Sequence, residues 1–422
     1  MAPNNTTSST AENIKKLILL KKFAHVEDLA HTLGYDNSLK DGETIELLDY
    51  NGQPLNALVR RIPINNPSIV AHILEIKSND PNLPNKVEVI WRGTHDKGSA
   101  IADLDPTSPG YSEYMNNRSI ILSEVNKSIG RLSLDNKNVA VGSYGHSLGG
   151  SLAQVFAVDV MDAKAQQHNL IGKSSLSISP KERSNFGKVK EITIGTFNAA
   201  GVSKKTAERA SELETLLHNI EKQDQPKIRY FAALNAGDGV QQTGEASILA
   251  DSTKSDVYLL KTNVKQTMFY KILTGALSIG GALLTPKIGP FAAPFAKIID
   301  LGKKTINTVN AHTATLFDKA QNIQSNVINF ELLTNEHPAE RALITQKLNN
   351  KAKILQNPVL KTFQATIYYF TDKLLNKHHT TKHIIPPPTI TTKLKQEKHL
   401  PLPIATKQEH KKSSKNPKKL KE

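Results

Sequence analysis

One serine stands in surroundings that suit nucleophilic chemistry. Gly145-His146-Ser147-Leu148-Gly149 follows a β-branched run, Val139–Val141, and an apolar helical pattern continues after it to Val160. This order predicts a strand, a sharp turn and a helix, the arrangement of a G-x-S-x-G nucleophile elbow. Glycines flank the serine in such a turn because side chains there would collide with neighbouring backbone. Ser147 is therefore the predicted nucleophile, supported by Gly145, His146 and Gly149.

A serine hydroxyl becomes an effective nucleophile when a base removes its proton, and a carboxylate must orient that base. Asp238 follows a predicted strand, Lys227–Leu234, in a Gly-Asp-Gly turn, and it is the predicted acid. Weaker candidates, which no predicted strand end presents, are Asp251 and Asp256. In the chain order Ser-Asp-His, the base comes after Asp238. His312, directly after an apolar segment, is the first choice, and His337 is the alternative.

Acyl transfer also needs donors aimed at the oxyanion of the tetrahedral intermediate, each worth about 3 to 4 kcal/mol. Leu148 supplies a backbone N–H because it directly follows the nucleophile. Thr94 comes directly after the predicted strand Val87–Trp91 and the pair Arg92-Gly93, and it offers a hydroxyl and a backbone N–H. We expect Thr94 and Leu148 to form an oxyanion hole.

Strands and helices alternate around these residues. Short runs at 44–48, 55–62 and 69–76 read as antiparallel hairpins, whereas later strands at 189–194 and 227–234 alternate with helical patterns. Alternation of this kind predicts a mainly parallel sheet, with chemistry at the carboxyl ends of its strands. We expect an α/β fold, in which helices flank a mainly parallel sheet with an N-terminal β-hairpin extension and a helical C-terminal region.

Composition divides the chain into four parts. These are a polar segment and covering helix at 1–40, a catalytic domain at 41–320, a helical region at 321–376 and a basic, extended tail at 377–422. An apolar, glycine-rich insertion occupies 268–301. Its longest uncharged piece is shorter than the roughly twenty residues of a membrane-spanning helix, so we expect no transmembrane helix. The insertion could serve as a lid, a membrane insert or core.

Charge and cysteine content limit the chemistry and the binding partners that we expect for this chain. The chain has no cysteine, which excludes a thiolate nucleophile, and no metal site or cofactor is predicted. Net charge is +15, and the tail from Lys377 holds twelve lysines against three acids. Such a tail favours peripheral association with anionic membranes; without aromatic side chains it offers no stacking platform, so no nucleic acid partner is expected. No Sec signal peptide is recognised, which leaves a cytoplasmic location or signal-independent secretion as a bacterial effector.

Three blocks together resemble a known family. Trp91-Arg92-Gly93-Thr94, then Ile101-Ala102-Asp103-Leu104, then Gly145–Gly150 look like the class 3 lipases, the fungal-type triacylglycerol lipases with an α/β-hydrolase fold. The resemblance covers about 87–312. It implies a triad of Ser147, Asp238 and His312, with Thr94 and Leu148 in the oxyanion hole. Two departures are the loose pattern at 195–202 and the long separation between Asp238 and His312.

The function predicted from these features is hydrolysis of lipid carboxylic esters through an acyl-enzyme, as a lipase or phospholipase at a membrane surface. One alternative is a soluble esterase or thioesterase that uses the same triad, with the apolar insertion buried as core. Another alternative is a binding module that keeps the lipase fold without catalysis. Fold-level resemblance alone does not choose among these functions.

Overall fold

The computed structural model describes residues 6–49, 51–64, 68–95, 99, 102–103, 105, 107–134, 138–171, 179–235, 255–262 and 327–332. Several predicted features lie outside these residues: Asp238, Asp251, His312, His337, the apolar insertion at 268–301 and the basic tail at 377–422.

The described strands form one sheet of nine, in which each strand lies beside its neighbours in the chain. Their bounds are β1 Thr44–Leu48, β2 Pro54–Arg61, β3 Ala71–Ile76, β4 Asn85–Trp91, β5 Val139–His146, β6 Val189–Phe197, β7 Lys227–Asn235, β8 Ser255–Thr262 and β9 Val327–Leu332. Strands β1 to β4 are antiparallel, β4 to β8 are parallel, and β9 is antiparallel to β8. The α/β prediction, with its parallel central strands and N-terminal hairpins, is confirmed.

Helices cover the two faces of this sheet unequally. The described helices are α1 Thr6–Glu27, a π-helical turn Asp28–Leu33, α2 Tyr111–Leu132, α3 Leu148–Gln167, α4 Pro180–Arg183, a 3-10 turn Phe186–Lys188 and α5 Lys204–His218. Apolar side chains of α2, α3 and α5 pack on one face, which we call the α3 face. Those of α1 and the π-helical turn pack on the other, the α1 face. None of the helices in the described ranges has the length and apolarity needed to cross a bilayer.

The central strand β5 is buried along its whole length. Parallel strands with helices on both faces read as nearly continuous apolar runs, and Val139–Val141 begins such a run here. Helix α3, which starts directly after β5, is likewise buried over nearly all of its length. The predicted strand, turn and helix around Ser147 therefore lie at the centre of the fold.

Two strands differ from the sequence prediction. Strand β8 was not predicted, and β9 lies inside the segment 321–376 that was predicted to be helical. In β9, apolar Ile328, Phe330 and Leu332 alternate with other residues, which is the period of a strand. Six residues are too few for periodicity to separate a strand from a helix, and pairing with β8 decides the outcome.

Candidate active site

Ser147 occupies a strained turn between β5 and α3. Its backbone has φ 59° and ψ −127°, a region that residues with side chains rarely adopt and that costs about 1 to 3 kcal/mol. The surroundings hold this conformation in place. The Ser147 N–H donates to the Phe197 carbonyl (3.4 Å), and the Ser147 carbonyl accepts from the N–H groups of Gly150 (2.9 Å) and Ala200 (3.0 Å). The turn is thereby tied to the end of β6 and the loop that follows it.

Glycines around Ser147 are required by contacts with backbone. A Cβ on Gly145 would come within 3.0 Å of the Gly149 carbonyl, and a Cβ on Gly149 would come equally close to the Trp91 carbonyl oxygen. A Cβ on Gly150 would overlap Ala199. Because the obstructing atoms of the first two contacts are backbone, no side-chain movement relieves them. The glycine pattern thus allows the elbow to pack against both its own helix and the end of β4.

The end of β4 lies against the elbow and brings Thr94 to it. A Cβ on Gly93 would lie 2.6 Å from the His146 carbonyl oxygen, which shows how closely the two loops approach. Leu148 is the first residue of α3, and the first N–H groups of a helix have no acceptor within it. The two predicted oxyanion-hole residues therefore flank Ser147 at the carboxyl edge of the sheet.

The Thr94 hydroxyl has a partner of its own. It donates a hydrogen bond to Asp103 Oδ2 at 2.7 Å. A hydroxyl carries one proton, so while it donates to Asp103 the backbone N–H of Thr94 is the group that can donate to an oxyanion. Asp103 fixes the orientation of this residue, a role that chain spacing alone did not predict.

The chain leaves β7 at the same edge. Residue pairing places His146 beside Phe197, and Phe197 beside Ala233, so the ends of β5, β6 and β7 are level. The buried Asn198 joins the last two, because its N–H donates to the Ala233 carbonyl (2.9 Å) and its Oδ1 accepts from the Asn235 N–H (2.8 Å). Asn235 is the last residue of β7, and the predicted acid Asp238 follows it closely in the chain.

The described histidines near Ser147 have other contacts. His146 lies on the α1 face, where its Nδ1 is 3.0 Å from Tyr35 Oη and its ring stacks edge-on against His31 at 4.7 Å between centroids. His95 is exposed, and its Nε2 lies 3.4 Å from Asn37 Nδ2. No described residue accepts a hydrogen bond from the Ser147 hydroxyl. The two histidines predicted as the base, His312 and His337, lie outside the described ranges.

Asp256, one of the weaker candidates for the acid, lies in β8 beside Phe231. This position is four residues before Leu260, which is level with the end of β7, so Asp256 lies well below the carboxyl edge. Its carboxylate forms an ion pair with Lys22 at 3.6 Å. Asp256 is thus unsuited to orient a base beside Ser147.

Two residues near the elbow, His31 and Tyr35, were not predicted from the sequence. They follow α1, more than 100 positions before Ser147, and no spacing in the sequence links them to it. Burial raises the pKa of the Tyr35 phenol above its usual range, and the nearby Asp103 carboxylate raises it further. Tyr35 therefore stays protonated. Within the described ranges, His, Asp and Glu side chains form no group able to hold a metal ion.

Parts of this chain are similar to known proteins. Residues 88–178, which include Thr94, Ser147 and Leu148, match the family model Lipase (class 3). Among solved structures, a triacylglycerol lipase from Penicillium expansum is 13% identical, with 58% of this chain and 81% of that chain covered and a TM-score of 0.35. A triacylglycerol lipase described as having a serine protease triad in its catalytic centre is 16% identical, with coverage of 60% and 81% and a TM-score of 0.28. A search of curated proteins finds no match.

Proposed function

We propose that this chain, whose residues 88–178 carry the class 3 lipase pattern, is a serine hydrolase that cleaves carboxylic esters of lipids. The strained backbone of Ser147 is the observation that carries the proposal. A φ of 59° at a residue with a side chain is maintained here by hydrogen bonds from two neighbouring segments. Strain of this kind persists where it serves a purpose, and a nucleophile elbow needs it to present the serine.

In the proposed reaction, Ser147 Oγ attacks the ester carbonyl carbon while the base takes its proton. The carbonyl oxygen becomes an oxyanion, which the backbone N–H groups of Leu148 and Thr94 stabilise. The base then protonates the leaving alcohol, which departs and leaves an acyl-enzyme. Water attacks the acyl-enzyme with the help of the same base, and the fatty acid and free Ser147 are released.

Asp238 is the proposed acid of the triad. The support for it is the position of Asn235, which ends β7 level with the neighbouring strands at the edge that also holds Ser147. A residue that soon follows a strand end at this edge is well placed to orient a base above Ser147.

Topology favours His312 over His337 as the proposed base. Thr262 at the end of β8 pairs with Val327 at the start of β9, so the chain leaves β8 and enters β9 at the carboxyl edge. His312 lies between these two strands in the sequence. In contrast, β9 ends at Leu332, which pairs with Tyr258, and there the chain runs towards the opposite edge. His337 follows that end of the strand.

The proposal also concerns the substrate and the place of reaction, which are lipid esters at a membrane surface. The net charge of +15 and the lysine-rich tail support attraction to anionic headgroups, which amounts to about 1 kcal/mol for each basic residue near such a surface. We therefore propose peripheral action on lipid esters, with triacylglycerols and phospholipids as the two substrate classes to compare.

A test uses the full chain with a fluorophosphonate probe, p-nitrophenyl esters of short and long acyl chains, triacylglycerol emulsions and phospholipid vesicles with or without phosphatidylglycerol. Ser147→Ala is expected to abolish labelling and to lower hydrolysis at least about a thousandfold, because triad residues act as a unit. Ser184→Ala, a change at an exposed serine, is the matched control and keeps wild-type activity. Hydrolysis that survives Ser147→Ala would contradict the proposal.

The same assays distinguish His312 from His337 as the base, and a membrane lipase from a soluble esterase. Loss of labelling in His312→Gln with retention in His337→Gln supports His312 as the base, and the reverse result assigns that role to His337. A preference for short acyl chains, with no response to phosphatidylglycerol, would replace the membrane lipase with a soluble esterase.

A further inference from the structure

A segment outside the lipase-like range lies directly beneath the candidate active site. The π-helical turn Asp28–Leu33 and the two residues after it pack on the α1 face at the carboxyl ends of the central strands. A Cβ on Gly34 would lie 3.1 Å from the Trp91 carbonyl oxygen, so the segment contacts the end of β4. Tyr35 then reaches across to β5, where its Oη lies 3.0 Å from His146 Nδ1.

The Tyr35 hydroxyl contacts two loops at once. Besides its hydrogen bond with His146, it lies against Gly93, where a Cβ would overlap the phenol oxygen. Gly93 is the residue before Thr94, and His146 is the residue before Ser147. One hydroxyl group therefore joins the neighbours of the nucleophile and of an oxyanion-hole residue.

The rings around this hydroxyl are held by packing. His146 is buried, with 2% of its surface exposed. His31 packs against both partners, with its ring centroid 4.7 Å from that of His146 and 5.1 Å from that of Tyr35. The phenol hydroxyl can donate to or accept from His146 Nδ1, and either hydrogen bond fixes the orientation of the imidazole ring.

We propose that Tyr35 is a positioning residue for the ester hydrolysis proposed above, on which this inference rests. Its hydroxyl holds the Gly93–Thr94 backbone and the His146–Ser147 backbone in one arrangement, so that the nucleophile and the oxyanion donor face the same carbonyl group. Tyr35 acts through Gly93 and His146, and its described hydrogen bond is with His146. Displacements of about 1 Å in such constellations can cost a hundredfold in rate.

The test compares Tyr35→Phe with the wild type in the full chain. This change removes the hydroxyl and keeps the ring that packs against His31. We expect the second-order rate of fluorophosphonate labelling and the kcat for p-nitrophenyl butyrate to fall about tenfold, which is the effect of losing roughly 1.4 kcal/mol of transition-state stabilisation. KM should stay within twofold, because the phenol positions reacting groups and does not bind the acyl chain. Tyr230→Phe is the matched control, since that buried hydroxyl contacts Met161 Sδ (3.9 Å) on the α3 face.

A double-mutant cycle tests whether Tyr35 acts through His146. His146→Leu should also slow labelling, and the double variant Tyr35→Phe with His146→Leu should be no slower than His146→Leu alone. Losses that multiply would overturn the proposal, and so would wild-type rates in Tyr35→Phe. If His146→Leu does not fold, the comparison of Tyr35→Phe with Tyr230→Phe decides the question. A wild-type protein that the probe does not label would overturn the proposed function and with it the role of Tyr35.

Discussion

The two faces of the sheet bury polar groups in different ways. On the α3 face, one buried carboxylate has a buried cation: Arg118 Nε and Nη2 donate to the two carboxylate oxygens of Asp159 at 2.5 and 3.0 Å. Tyr114 donates to the same carboxylate at 2.6 Å. On the α1 face, Glu88 is buried in the centre of the sheet, where Tyr144 donates a hydrogen bond to its carboxylate but no described salt bridge includes it.

The pair of Arg118 with Asp159 joins α2 to α3, the helix that follows Ser147. Burial shifts pKa values on both faces: it raises the pKa of Asp159 to about 6 and that of Glu88 to about 7, and it lowers the pKa of His25 to about 4. The two buried carboxylates differ in that Asp159 has a cation beside it. We therefore expect removal of the Asp159 cation to destabilise the fold, and removal of the Glu88 charge to stabilise it at high pH.

Arg118→Met should produce the largest effect, because it leaves the Asp159 carboxylate buried without its cation. Removal of one partner from a buried pair typically costs about 3 to 5 kcal/mol in free energy of unfolding. Urea denaturation at pH 8 measures this loss. Arg229→Met is the control, since the ion pair of Arg229 with Glu191 (3.4 Å) is partly exposed and contributes at most about 1 kcal/mol. Equal losses in the two variants would contradict the distinction between the faces.

Glu88→Gln should have the next largest effect, and its sign depends on pH. The pKa of Glu88 rises from 4.5 to about 7, chiefly because burial penalises the carboxylate. Between these values the folded protein keeps a proton that the unfolded chain releases, so stability falls as pH rises through this range. Above pH 7 the full cost is about 3 kcal/mol. Glutamine removes this cost, so the free energy of unfolding should rise at pH 8 and change little at pH 4.5.

The control for this change is Glu208→Gln, at an exposed position of α5 that pairs with Lys204 (3.5 Å). It should leave stability unchanged at both pH values. A gain in Glu88→Gln of the same size at pH 4.5 and pH 8 would show that the side chain acts through packing and that its ionisation is irrelevant.

Lys22→Met should have the smallest effect. Lys22 pairs with Asp256 at 3.6 Å and lies over the Phe231 ring at 4.4 Å, but both charged groups are more than one third exposed. Such a pair contributes at most about 1 kcal/mol, and methionine keeps the apolar contact with the ring. Thermal unfolding at low and high salt measures the change. A loss as large as that of Arg118→Met would place Lys22 among the groups that hold the fold.

Sequence patterns predicted the parts of the molecule whose causes are local. The turn at Ser147 and the glycines beside it follow from a strand, a tight turn and a helix in immediate succession. Strands β1 to β7 were recognised because alternating or apolar runs are bounded by turn residues. The contact between Tyr35 and His146 joins positions 111 residues apart and depends on how α1 packs against the sheet. Likewise, the hydrogen bond from Thr94 to Asp103 depends on loop geometry that composition does not encode.

The pairing of Thr262 with Val327 determines how long the connection between β8 and β9 has to be. Residues paired in neighbouring antiparallel strands lie about 5 Å apart, a gap that a two-residue hairpin can close. A connection much shorter than residues 263–326 would therefore be long enough to join the two strands. The entropic cost of joining two strand ends grows only slowly with the length of the connection, so this junction tolerates connections of very different lengths. Natural selection can therefore change the sequence between these two strands, apart from the proposed base His312, while the scaffold stays the same.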